Sequence, residues 1–249
     1  LNTTGTHNTA LGRSALEVNT TGAGNTAIGA FTLDAATTGG NNVAVGQNAL
    51  SASTTAALNT AVGYSSGDGL TTGQYNTALG AYSLDGAVTG NVNTAVGYES
   101  LTSNTSGHSN VAVGYLSLGG NTTGIQNVAI GINALDASTT ANYNVAIGAS
   151  ALTSFTGTGN TFNTAVGFAA MENTATGYYN TTLGAYAGND TTTGTDNVFV
   201  GYLAGLENTT GSRNTAVGSA ALDAATTAND ATAVGYNALT ALTTGNDNT

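Results

Sequence analysis

One interval governs this chain. The segment Asn93-Thr94-Ala95-Val96-Gly97-Tyr98 recurs every 17 residues, with repeats starting at Asn8, Asn25, Asn42, Asn59, Asn76, Asn93, Asn110, Asn127 and Asn144. A single step of 19 leads to Asn163, and the interval of 17 resumes at Asn180, Asn197, Asn214 and Ala231. The 249 residues therefore hold fourteen full repeats, with a two-residue insertion in the ninth, somewhere in residues 155–162. A unit this short cannot bury an apolar face of its own and must stack on copies of itself.

Numbering each repeat from its asparagine exposes the constraints. Position 1 is Asn except at Ala231; position 2 is Thr or Val; position 3 is Ala except at Thr182 and Phe199. Position 4 is always Val, Ile or Leu, position 5 always Gly, and position 8 always Ala, Ser or Thr. Position 9 is Leu or Met except at Gly67, Gly188 and Gly205, and positions 13 to 15 usually read Thr-Thr-Gly. Positions 2 and 4 share one face of a short strand and position 3 takes the other, a period of two that excludes a helix. The glycine at position 5 suits the bend that ends the strand. The asparagine at position 1 is placed to bond to backbone and, with repeats in register, to the asparagine one level away.

The expected fold is all-β: a β-solenoid, or parallel β-roll, of one coil per repeat, running as a single continuous domain over residues 1–249. Fourteen levels at the usual strand spacing give a rod of roughly 67 Å. The large aliphatic side chains of a coil come from positions 4 and 9, which are expected to form its core. That core is thin against the entropy of ordering the coil. The small side chains of positions 3 and 8 are then expected to face neighbouring copies, giving a homo-oligomer, a trimer wound about the fibre axis. A single-chain solenoid, with the alanines filling a narrow core, is the competing arrangement. The chain starts and stops in mid-repeat, at Leu1 and Thr249, which leads to the expectation of a section of a longer fibre.

Composition removes several function classes. The net charge is −11, with Arg13 and Arg213 the only fixed cations, so neither phosphate backbones nor anionic membranes attract this chain. No apolar run has the length of a transmembrane helix, so no membrane insertion is expected in this segment. Absence of cysteine is compatible with an extracellular setting, on a cell surface or a virion.

No catalytic, cofactor or metal site is expected. His7 and His108 lie about six levels apart, too far to share a proton or a metal, and no Ser-His-Asp set can be assembled. The acids Glu17, Asp34, Asp68, Asp85, Asp136, Glu172 and Asp223 recur at position 10 and read as a solvated edge rather than as a calcium site. Tyr64, Tyr98, Tyr115, Tyr202 and Tyr236 recur at position 6 as a candidate contact stripe for carbohydrate. Phe155 and Phe162 mark the insertion as a candidate binding protrusion. Phe199, in a column of alanines, needs space that Gly188 and Gly205 are placed to give. Asn19, Asn104, Asn121 and Asn208, at position 12, begin glycosylation sequons.

The stretch Asn93-Thr94-Ala95-Val96-Gly97-Tyr98-Glu99-Ser100-Leu101 resembles two related groups of repeats. One is the head of YadA-like trimeric autotransporter adhesins, with an Asn-Ser-Val-Ala-Ile-Gly type of core, approached most nearly by Asn127-Val128-Ala129-Ile130-Gly131 and Asn144-Val145-Ala146-Ile147-Gly148. The other is the NTAVGYxAL-type array of phage tail-fibre-like and large bacterial surface proteins. The resemblance spans essentially the whole chain. It implies a left-handed, trimeric parallel β-roll with an attachment role, partnered by itself and by a host-surface glycan or protein. The longer repeat and the added Thr-Thr-Gly segment depart from the adhesin head. A self-polymerising surface filament is the runner-up. An ice-binding solenoid comes third, because paired threonines at positions 13 and 14 point to opposite sides of a strand.

Overall fold

The computed structural model describes residues 2–249. Every strand among them is three residues long, and none of these residues is helical. The chain forms two compact units, Leu1–Ile125 and Gln126–Thr249. Each is a parallel β-solenoid with one strand of the main sheet per repeat.

In the first unit the strands are Thr9–Leu11, Thr26–Ile28, Val43–Val45, Thr60–Val62, Thr77–Leu79, Thr94–Val96 and Val111–Val113. Each pairs in parallel with the next, and equivalent positions face one another, as in Thr94 with Val111, Ala95 with Ala112 and Val96 with Val113. In the second unit Val128–Ile130, Val145–Ile147, Thr164–Val166, Thr181–Leu183, Val198–Val200, Thr215–Val217 and Thr232–Val234 stack in the same way. Thr140–Asn142 and Thr158–Asn160 form a separate parallel pair beside the insertion.

Close stacking explains the invariant glycine. Gly97 has φ +128°, and a Cβ built on it would lie 2.6 Å from the carbonyl oxygen of Gly114. Both the conformation and the approach of the next coil exclude a side chain. The turn that follows alternates direction. Glu99 and Leu101 take left-handed conformations, φ 54° and 51°, uncommon for residues with a Cβ. In return, the Glu99 N–H donates to Ala81 O one level back and the Leu101 N–H to Ser117 O one level ahead, at 3.2 and 3.1 Å. The turn thus joins both neighbours while its leucine enters the coil.

The interior reverses one expectation. Ala95 and Leu101 are wholly buried, and so are their equivalents Ala112 and Leu118, Ala129 and Leu135, and Ala146 and Leu152. The small residues of position 8 are buried as well, among them Ala49, Ser100, Ser117 and Ala221. Positions 3 and 8 therefore fill the inside of their own coil, as in the single-chain alternative, and do not form a surface for neighbouring copies. Position 4, expected in the core, faces outward: Ile28, Val62, Leu79 and Leu183 are exposed, and Val96 and Val113 are half-buried. The coil is too narrow for a leucine from the turn to meet another branched side chain from the strand, so alanine takes the inward place.

The irregular coils obey the same limit. Phe199 is wholly buried, and a Cβ on Gly205 would lie 2.7 Å from three of its ring atoms; one on Gly188 would lie 2.9 Å from Cδ2. The two glycines leave room for the ring, as expected. At Gly67 the space of the missing side chain is taken by Leu50, whose Cδ2 would lie 2.9 Å from an added Cβ.

Candidate functional site

Asparagine builds the spine of each coil. The side chain of Asn93 donates to Gly107 O, in its own coil, at 2.9 Å. Its carbonyl Oδ1 accepts the Asn110 N–H at 3.1 Å, and its own N–H donates to Asn76 Oδ1 at 2.8 Å. One side chain thus closes a coil and ties it to the next. The same pattern runs through Asn8, Asn25, Asn42, Asn59 and Asn76 in the first unit. It runs through Asn127, Asn144, Asn163, Asn180, Asn197 and Asn214 in the second, with one change: Asn144 Nδ2 bonds to Asn142 O beside the insertion. At Ala231 the N–H still donates to Asn214 Oδ1, but no side-chain amide passes the bond onward.

The sequon asparagines of position 12 form a second column, whose burial the sequence did not reveal. Asn104 Nδ2 donates to the same Gly107 O at 3.0 Å, and Asn121 Nδ2 donates to Asn104 Oδ1 at 2.9 Å. Asn19, Asn104, Asn121 and Asn208 are all wholly buried, so these sequons are closed to glycosylation in the folded chain. Their recurrence at one position was the available signal; a sequon is read as surface only when burial is unknown.

Outside the coils, three features stand out. The first is the apolar row of position 4, flanked by Thr or Val of position 2, with Val43 and Val198 exposed. The second is aromatic. Tyr64, Tyr82, Tyr98 and Tyr115 form a run of rings with successive centroids 5.3, 5.8 and 5.8 Å apart, in which Tyr98 stacks on Tyr115. Tyr202 belongs to a separate run through Tyr186 to Phe168, and Tyr236 is exposed. Position 7 supplies Tyr82 and Tyr186, so each run draws on two columns. A hydrogen bond to Glu99 raises the Tyr98 hydroxyl above its ordinary value.

The third feature is a cleft of about 390 Å³ beside the insertion, lined by residues that include Thr156, Asn160, Thr176, Tyr178 and Tyr179. Phe162, outside that lining, is exposed, but Phe155 is wholly buried, so only one of the two predicted aromatics is presented outward.

The acid row differs from a solvated edge. Asp34, Asp68, Asp85, Asp136, Glu172 and Asp223 are half-buried, and only Glu17 is exposed. Burial, then the charge of Asp68, pushes the Asp85 carboxyl up to about 6, and burial also raises Asp34. The Ser51 hydroxyl donates to Asp68, and Asn189 donates to Glu172 at 3.2 Å. Among the described residues, no three His, Asp or Glu side chains gather as a metal site would need. His7 and His108 each bond to an adjacent hydroxyl, Thr6 and Ser109, on the exposed surface. Arg213 forms an exposed bidentate pair with Asp230 one level on, at 2.6 and 2.8 Å, which lowers the Asp230 carboxyl below its ordinary value.

Threonines of position 13 are engaged along the stack: Thr20 Oγ1 donates to Thr37 O at 2.9 Å and Thr105 Oγ1 to Thr122 O at 2.9 Å. Comparison of the chain with protein-family models, curated proteins and solved structures finds no match.

Proposed function

We propose that this chain is a non-enzymatic repeat section of an extracellular fibre, on a cell surface or a virion, serving attachment and the projection of a tip. Copies associate laterally as a homotrimer through the outward face of positions 2 and 4. The observation that carries this reading is the aliphatic row itself. A large side chain stands exposed or half-exposed at this position on every level of each unit, in strict register, where a solitary soluble chain would place polar groups. A repeated apolar face is self-complementary between identical copies. The YadA-like and tail-fibre-like resemblance of the repeat supports the same assembly.

Mass in solution tests it. The expected result is three chains, falling to one when Val62, Leu79 and Val96 are together changed to Lys, with the β-sheet spectrum retained. A parent chain that stays single at high concentration, or that grows into indefinite filaments under electron microscopy, overturns it.

A second reading uses the same face differently. Thr60, Thr77 and Thr94 stand in register beside the aliphatic row, two residues away on the same side of each strand. A regular, low-charge face of this kind suits ice, whereas the doublet at positions 13 and 14 does not, since position 13 is bonded within the stack. Thermal hysteresis from a single-chain species supports this reading; an ice-silent trimer removes it.

A further inference from the structure

The insertion in the ninth repeat does more than lengthen a loop. Its residues Thr158–Asn160 form a strand that pairs in parallel with Thr140–Asn142, and the Asn142 amide donates to Asn160 Oδ1 at 3.0 Å. Beneath it, Phe155 is wholly buried, and Gly157 lies so close that an added Cβ would meet the ring Cζ at 2.4 Å. Phe155 thus anchors the base of the inserted segment, and the neighbouring strand holds its outer part.

Two of the lining residues are aromatic, and they join a run of rings beside the cleft. Tyr178 and Tyr179 meet edge to face with centroids 5.1 Å apart; Tyr179 stacks on Phe162 at 5.6 Å, and Phe162 on Tyr143 at 4.8 Å with rings 3° from parallel. Tyr178 is 44% exposed and Tyr179 51%. The cleft measures about 390 Å³, toward the small end of the range for ligand sites, roughly 300–1,000 Å³. Every lining residue is Thr, Gly, Asn or Tyr.

We infer that this cleft binds an uncharged saccharide. Hydroxyl and amide groups of the lining donate and accept hydrogen bonds, and the rings of Tyr178 and Tyr179, set edge to face, offer apolar surface with polar tips. A pyranose presents the matching pair, a rim of hydroxyls and an apolar C–H face. No lining side chain is charged, so a carboxylate, sulfate or phosphate entering the cleft finds no counter-charge there. The net charge of −11 repels such ligands further. A nucleic acid also stacks on tyrosine, but its phosphates meet the same obstacle. The anchored loop and the packed tyrosines form the cleft before any ligand arrives, which lowers the ordering cost of binding.

The inference rests on the attachment reading and gives it a place and a ligand class. Calorimetric titration of the full chain with maltotriose, cellotriose and triacetylchitotriose tests it, with sialyllactose and a thymidine decanucleotide as charged probes. At least one neutral trisaccharide should bind in about the millimolar range or tighter. Tyr178→Ala and Tyr179→Ala should each weaken it about tenfold, the loss expected for one stacking contact. Tyr98→Ala should leave it unchanged. A variant lacking Thr158 and Gly159, which restores the regular interval, should lose binding with its melting temperature retained. Silence of all three neutral sugars, tighter binding of either charged probe, or indifference to Tyr178→Ala overturns the inference. None of these outcomes alters the mass in solution, so the saccharide site and the trimeric fibre fail separately.

Discussion

The coils around Ala95 and Ala112 in the first unit and those around Phe199 in the second solve one packing problem in opposite ways. In the first, the strand gives an alanine and the turn a leucine, Leu101 or Leu118, and all four are wholly buried. In the second, the strand gives a phenylalanine and the turns on two levels give glycines, Gly188 and Gly205, whose missing side chains the ring replaces. What is kept is the volume inside the coil, not the residue at a position. Interiors packed to crystal-like density allow this exchange only when the changes are matched.

Breaking the match should have the largest effect. Phe199→Ala leaves a void bordered by two glycines and should destabilise by ~3–5 kcal/mol, read from denaturant melts of the second unit. Adding Gly188→Leu and Gly205→Leu to that variant should recover most of the loss, because it recreates the regular coil. Gly205→Leu alone forces a leucine against the ring and should destabilise by ~1–3 kcal/mol. A rise in melting temperature for that single variant would refute the volume argument.

An interior position of the first unit's asparagine spine and the last position of the second unit's sharpen the comparison. Asn93→Ala strands the buried Asn110 N–H and should cost ~1–2 kcal/mol, with faster amide exchange at Asn110. Ala231→Asn adds the same side chain where the neighbouring residue Asn248 is only half-buried, and should change stability by less.

A further effect concerns pH. In the folded chain Asp85 titrates near 6, above its ordinary 3.8, so the folded form holds this proton more tightly than the unfolded form. Stability from this group is therefore full below about pH 4 and declines as pH rises through 6. Asp85→Asn should melt above the parent at pH 7 and close to it at pH 4; the reverse order contradicts the burial of this carboxyl.

Much of the architecture is legible in the residues. The interval of 17, the invariant glycine and the Asn column lead directly to stacked parallel coils, and the Phe199–glycine exchange follows from column statistics alone. The facing of the strand does not follow. A three-residue strand offers two faces, and hydrophobicity argues for turning Val96 inward and Ala95 outward. Only the width of the coil, set by leucines entering from the turn, decides the opposite. The burial of Asn104 and Asn121 is hidden for a related reason: their carbonyl partners, three residues on at position 15, are inside the coil only because the chain folds back there, which no local propensity announces. The cleft depends on strand pairing across two inserted residues, which a repeat alignment treats as a gap.

The outward turn of the aliphatic row underlies both the fold and the proposed assembly, and thiol labelling tests it most directly because the chain has no cysteine of its own. Ala95→Cys and Val96→Cys are exposed separately to a maleimide over a range of protein concentrations. The account predicts that Cys at 95 stays unreactive at every concentration until the chain unfolds, while Cys at 96 reacts in dilute solution and is increasingly protected as copies associate. A reactive thiol at 95 in the folded chain, with one at 96 silent at every dilution, would contradict it.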